Sequence, residues 1–132
     1  MDDKCFFRTD KLVIWRPEGS MTLEKIEKFI EFLNTNSGKR DPHFDRFVDL
    51  SCITEIAVSY EQLSTIAFTR KTYSQQKLDK KIRMVFYVNN SISYGMTRMY
   101  QNLFDDKYYD IKIFKNLCEA AAFLEVDASL LK

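Results

Sequence analysis

The run Met84–Val88, MVFYV, places five apolar or aromatic residues in succession within the segment KIRMVFYV. A strand with one face in water alternates apolar and polar residues, so an unbroken run of this length predicts a deep central strand covered on both sides. The rest of the chain must supply a sheet around that strand. CFFRTDKLVIW predicts two short strands turning at Thr9 and Asp10, with Pro17 and Gly19 closing the second. From Thr22 the apolar spacing changes to Leu23, Ile26, Phe29, Ile30 and Leu33, an amphipathic helix with Thr22 as N-cap and Gly38 as its stop. HFDRFVDLS reads as the next strand, and the stretch after it as a short loop into a helix. Ser59 starts that helix, because Ser-x-x-Gln62 can form a reciprocal capping box, with Leu63, Ile66 and Ala67 facing inward. After the central strand, a third helix opens near Asn90 or Ser91 with Ile92, Met96, Met99 and Leu103 on one face. DIKIF alternates like a half-exposed strand, and Asn116-x-x-Glu119 begins a last helix through LCEAAAFL that ends near Val126. The predicted order is β-β-α-β-α-β-α-β-α. That is an α/β fold, a mixed, mostly parallel sheet of about five strands with four helices and right-handed crossovers.

With 132 residues and no linker, repeat or low-complexity segment, one domain over 1–132 is expected. Twenty Lys and Arg against 19 Asp and Glu leave a net charge of +1, too weak a field to draw the whole protein to nucleic acid. Three cysteines, Cys5, Cys52 and Cys118, have no paired spacing and read as reduced thiols, which with the acidic start MDDKCFFRTD and the lack of a membrane-length apolar run implies a cytoplasmic protein.

The element order, VDLSCITEI before one helix, SYGMTRMY opening the next and the closing IKIFKNLCEAAAFL together resemble the SpoIIAA-like family. These are single-domain relatives of the STAS domains of sulfate transporters and anti-sigma factor antagonists. The resemblance implies a β-α superhelix, shared with the lipid-carrying CRAL-TRIO domains. Phospho-regulated STAS antagonists carry Asp-Ser-Ser-Gly after the corresponding strand, with the phosphate on the first Ser. Laid without gaps, those positions fall here on Ala57, Val58, Ser59 and Tyr60, so the acceptor, its neighbouring carboxylate and the glycine are all missing. Val58 cannot accept a phosphate. Ser59 is the surviving hydroxyl, a shifted phosphorylation site at most, and N-capping gives it a structural use.

No catalytic residue, metal site or cofactor is nominated. His43 follows Pro42 in the charged segment GKRDPHFD with no ligand or base partner indicated by spacing, and Cys52 reads as a small buried hydrophobe after a strand. Gly19, Gly38 and Gly95 are too scattered for a phosphate loop. Gly95 lies one turn inside a helix, where glycine costs about 1 kcal/mol relative to alanine, so the backbone is expected to approach the sheet or a ligand closely. Flexible apolar groups and polar handles surround it, beyond the carboxyl end of the central strand where open α/β sheets bind ligands. Tyr60, Ser91, Tyr94, Gly95 and Arg98 are therefore the candidate ligand-binding residues, between the second and third helices. Met96 and Met99 there equally suit a core, and Arg98 can answer Asp105 or Asp106. The cluster Arg70, Lys71, Lys77, Lys80, Lys81 and Arg83 reads as solvated surface. Phe6, Phe7 and Trp15 are expected on an exposed hairpin side, available for a homodimer. The function expected is a non-enzymatic binding module for a small apolar or anionic ligand, a peripheral membrane surface or a protein partner. A STAS-type regulatory interaction domain without its phosphoacceptor is the alternative.

Overall fold

The computed structural model describes residues 6–8, 12–37, 45–74, 82–104 and 109–132. Its strands are β1 (Phe6–Arg8), β2 (Leu12–Trp15), β3 (Gly19–Thr22), β4 (Asp45–Asp49), β5 (Ile53–Ala57), β6 (Ile82–Tyr87) and β7 (Tyr109–Phe114). The helices are α1 (Leu23–Ser37), α2 (Tyr60–Ser74), α3 (Ser91–Phe104) and α4 (Leu117–Leu124), followed by a short 3-10 helix over Ala128–Leu131. Five strands form the main sheet in the order β1-β2-β4-β6-β7. β1 runs antiparallel to β2, and every other neighbour is parallel. The apolar run thus lies inside the sheet, on β6 and the residue after it, with Val85 and Val88 fully buried.

The pleat sends alternate residues into two cores. Val13, Trp15, Val48, Met84, Phe86, Tyr109 and Ile111 face the core that takes side chains from α1, α2 and α3. Leu12, Ile14, Phe47 and Val85 face α4 and the 3-10 helix through Ala120, Ala121, Leu124 and Leu131. Helices therefore pack on both faces of the sheet, and this corrects the expectation of an exposed position for Trp15. Trp15 is 5% exposed and stacks on Phe29 with ring centroids 4.4 Å apart. The side chains of Phe6 and Phe7 lie outside the described residues, as do the turn at Thr9 and Asp10, Gly38 and His43.

The segment read as a loop after β4 is itself largely a strand. β3 and β5 make a second, two-stranded parallel sheet with a register shift between Gly19 and Ser20. Gly19 sits at φ +74°, a left-handed conformation that suits glycine, and its N–H donates to the Cys52 carbonyl at 3.0 Å. Asp49 Oδ1 accepts the Ser51 N–H at 2.9 Å, turning the chain from β4 into β5. That turn leaves Cys52 exposed, not buried as its position after a strand suggested, and Cys118 is exposed too.

The helix starts follow the sequence closely. Thr22 Oγ1 accepts the Lys25 N–H, Asn90 Oδ1 accepts the Ser93 N–H, and Asn116 Oδ1 accepts from Cys118 and Glu119. At α2 the capping box is reciprocal: Gln62 N–H donates to Ser59 Oγ at 3.1 Å, while Ser59 N–H donates to Gln62 Oε1 at 2.9 Å. Ser59→Ala is expected to cost about 1 kcal/mol in urea unfolding; an unchanged midpoint would show that the box contributes nothing. Helix α4 ends at Leu124, just before the expected Val126. Glu125 takes the left-handed conformation at φ 61°, with Glu125 N–H donating to Ala122 O and Val126 N–H to Ala121 O.

Two ion pairs tie the layers together. Arg83 Nη2 lies 2.7 Å from Asp45 Oδ2, its backbone N–H and Nε donate to the same carboxylate, and Nη1 reaches the Phe123 carbonyl and Glu125 Oε2. Burial alone would lower the Arg83 pKa, but the hydrogen bonds and charges of Asp45 and Glu125 outweigh it and hold it above its ordinary value. Arg83 is thus part of a half-buried network, which corrects its assignment to a solvated basic surface. The side chains of the other cations in that cluster lie outside the described residues. At the other end of the strands, Arg16 Nη1 pairs with Asp49 Oδ2 at 2.8 Å and Nη2 donates to the Leu131 and Lys132 carbonyls, fastening the 3-10 helix. Asp127 caps that helix by accepting the Ser129 N–H, which holds its carboxyl below the usual carboxylate range.

Candidate functional site

The residues nominated from sequence lie on the outer surface. Tyr60 opens α2 and is 56% exposed, Ser91 opens α3, and Tyr94 is 40% exposed with Lys115 Nζ 5.4 Å from its ring centroid. Arg98 is exposed and donates from Nη1 to Gln101 Oε1 at 3.1 Å. A Cβ built on Gly95 would meet nothing within 4 Å, so neither the sheet nor a neighbouring helix approaches that backbone. This corrects the close approach to the sheet expected there. Gly95→Ala is expected to stabilise the protein by about 1 kcal/mol through helix propensity alone. A loss of stability on urea unfolding would restore the close-approach reading.

The inward face of α3 carries Met96, Met99 and Leu103 as expected, and departs from the expected stripe at Ile92. Ile92 is 51% exposed, while Ser93 and Thr97 are fully buried beside Met96. Both hydroxyls find carbonyls: Ser93 Oγ donates across to Leu50 at 3.5 Å, and Thr97 Oγ1 donates within the helix to Tyr94 at 2.9 Å. Exposed Tyr60, Ile92 and Tyr94 belong to the first turns of α2 and α3. Val58, where a phosphorylated relative would carry its acceptor, turns into the core with only 9% exposure.

A concave space exists elsewhere, between the sheet and the α1–α3 layer. The cavity has a volume of about 40 Å³. Trp15, Val48, Met84, Phe86 and Tyr109 of the sheet line one side, and Met21, Ile26, Phe29, Ile30, Leu63, Met96 and Tyr100 line the other. Phe86 and Tyr100 meet edge to face, with centroids 5.3 Å apart. The wall is almost wholly apolar. Among the described residues lining it, the one that carries a charge is Arg46, which follows the first residue of β4 and is 5% exposed. The guanidinium carbon lies 5.7 Å from the centroid of the Tyr109 ring, which opens β7, and Arg46 Nε makes no hydrogen bond among the described residues. Other interactions engage the rest of the side chain. A buried cation loses its hydration at a cost that neighbours must offset, so a guanidinium on the core side of a strand is an expensive choice of wall.

Sequence reasoning overlooked Arg46. Its signal was a cation two residues before Val48 on the strand face that Val48 buries, a break in binary pattern beside an otherwise apolar strand. Among the described residues no group of three or more His, Cys, Asp or Glu side chains could hold a metal ion, and no helix is long and apolar enough to cross a membrane.

This topology, a mostly parallel sheet flanked by four helices, is a SpoIIAA-like fold. The chain is similar to an uncharacterized protein from the DUF3478 family of Shewanella loihica PV-4, whose crystal structure has a SpoIIAA-like fold. The two share 14% sequence identity over 90% of each chain, with a TM-score of 0.58, and the likeness is one of fold. No protein-family model matches the chain, and no curated protein does.

Proposed function

We propose that this protein is a non-enzymatic binding module that takes a small, largely apolar molecule into the cavity beneath α1 and α3. The observation behind this reading is the cavity itself, a space of about 40 Å³ walled by aromatic and thioether side chains. Ligand sites are typically concave and apolar with a few polar groups that fix orientation, and flexible methionines adapt such walls to a guest. Met21, Met84 and Met96 supply that adaptability here. Titrating hexan-1-ol into protein with 13C-labelled methionine methyl groups tests the reading. Saturable shifts at Met21, Met84 and Met96 are expected. No shift at any of the three at millimolar alcohol would refute it.

A second reading, a STAS-type regulatory interaction domain, is favoured by the exposure of Tyr60, Ile92 and Tyr94 at 56%, 51% and 40%. Exposed large apolar side chains are the kind of surface a protein partner covers. On this reading contact is controlled without phosphate, since Ser59 is committed to its capping box and Val58 is buried. Incubation with cell lysate and ATP followed by phosphosite mapping separates the versions: phosphate on Ser59 restores kinase control, and its absence leaves contact alone. Flotation with anionic vesicles at low salt would show whether the same surface meets a membrane.

A further inference from the structure

We propose that a second copy of this chain docks on the free edge of β7, the two strands pairing antiparallel about a two-fold axis at Ile111. β7 ends the five-stranded sheet, and among the described residues no strand pairs with its outer side. Val88 N–H donates to the Phe114 carbonyl at 3.0 Å, so Phe114 and, by alternation, Lys112 and Asp110 aim their backbone groups at β6. Ile111 and Ile113 therefore aim theirs outward, in keeping with Gln101 Nε2 of α3 donating to the Ile111 carbonyl at 2.6 Å. A carbonyl oxygen accepts twice, so this bond leaves room for another. An outward row of N–H and C=O groups is a template for a further strand. The charges select which strand. Asp110 and Lys112 flank Ile111 on the opposite face of the sheet and remain 35% and 51% exposed, with Lys112 Nζ 3.7 Å from Asp110 Oδ1. Rotating β7 about Ile111 sets Asp110 of each copy opposite Lys112 of the other, in the non-hydrogen-bonded positions where side chains come closest. Centring the axis on Asp110 or Lys112 would set that charge against itself, and centring it on Ile113 would lose both pairs. The edge is thus self-complementary in one register, and a two-fold pairing closes at two copies. This surface is independent of the cavity, and it moves the homodimer expected from sequence to the opposite edge of the sheet from the hairpin.

Sedimentation equilibrium of the full chain up to millimolar concentration is expected to show reversible monomer–dimer exchange, with hydrogen exchange at the Ile111 amide slowing as the dimer fills. Asp110→Lys and Lys112→Asp each place two like-charged pairs across the axis and should weaken association about tenfold or more. Mixed in equal amounts, the two variants should associate with each other about as tightly as the unaltered protein does with itself, because every cross-strand pair is then of opposite sign. The double exchange Asp110→Lys/Lys112→Asp should restore the homodimer. A monomeric mass throughout, a dimer that both single variants leave unchanged, or variants that fail to associate when mixed overturns the proposal. An Ile111 amide whose exchange ignores concentration does the same, and that measurement on the unaltered protein decides the matter even if a variant does not fold.

Discussion

Replacing Trp15 with alanine is expected to destabilise the protein by about 3–5 kcal/mol, seen as a large drop in the urea midpoint with little change in slope. The indole is 5% exposed, lies nearly parallel to the Phe29 ring at an interplanar angle of 9°, and forms part of the cavity wall. Its removal takes away the buried area of a large aromatic side chain and a stacking contact together, and the adjoining cavity grows instead of collapsing. A Trp on an exposed dimer face would behave otherwise: alanine there would change association and leave monomer stability within about 0.5 kcal/mol. Equilibrium unfolding at two protein concentrations distinguishes the cases, and a small, concentration-dependent effect would return Trp15 to the surface.

The second large effect is expected at the start of β4. Asp45→Ala should cost about 3 kcal/mol, because it leaves the Arg83 guanidinium and the Arg83 backbone N–H without the carboxylate that accepts from both. The side chains of Asp45 and Arg83 are 12% and 25% exposed, so solvent replaces little of what is lost. Glu125→Gln is the control. Its carboxylate meets the same Arg83 at 2.6 Å but is 78% exposed, and surface pairs of that kind contribute about 0–1 kcal/mol. Comparable losses in the two variants would show that burial does not separate these partners.

The caps and the central strand were legible because they depend on residues close in sequence. Ser59 and Gln62 are three apart and bond reciprocally as their spacing foretold, and the apolar run on β6 needed only a deep sheet to explain it. The β3–β5 pair was not legible. Of GSMT only Met21 is buried, and of ITEIA only Ile53, so neither segment alternates strongly enough to announce a strand. What holds them is their mutual pairing and contacts such as Ser20 Oγ with Glu55 Oε1 at 2.9 Å, which no local pattern encodes. On α3 the place of Ile92 was misjudged, because hydrophobicity ranks it above Ser93 and Thr97, while Met96, Met99 and Leu103 pack inward as expected. The buried positions went to hydroxyls that find a carbonyl. The residues nominated from sequence lie at the surface near the carboxyl ends of the strands, and the cavity is lined by other residues.

The parallel ladder has a kinetic corollary. β2 pairs with β4, β4 with β6 and β6 with β7, and each partnership spans an intervening helix. None of these three can form by zipping outward from a tight turn, so a wide loop must close before each is rewarded. High contact order of this kind slows the search for the native state, to milliseconds or longer for chains of such topology. Nascent chains would meanwhile display the greasy β6 segment unpaired, and the interval before its neighbours arrive is when self-association competes most strongly with folding.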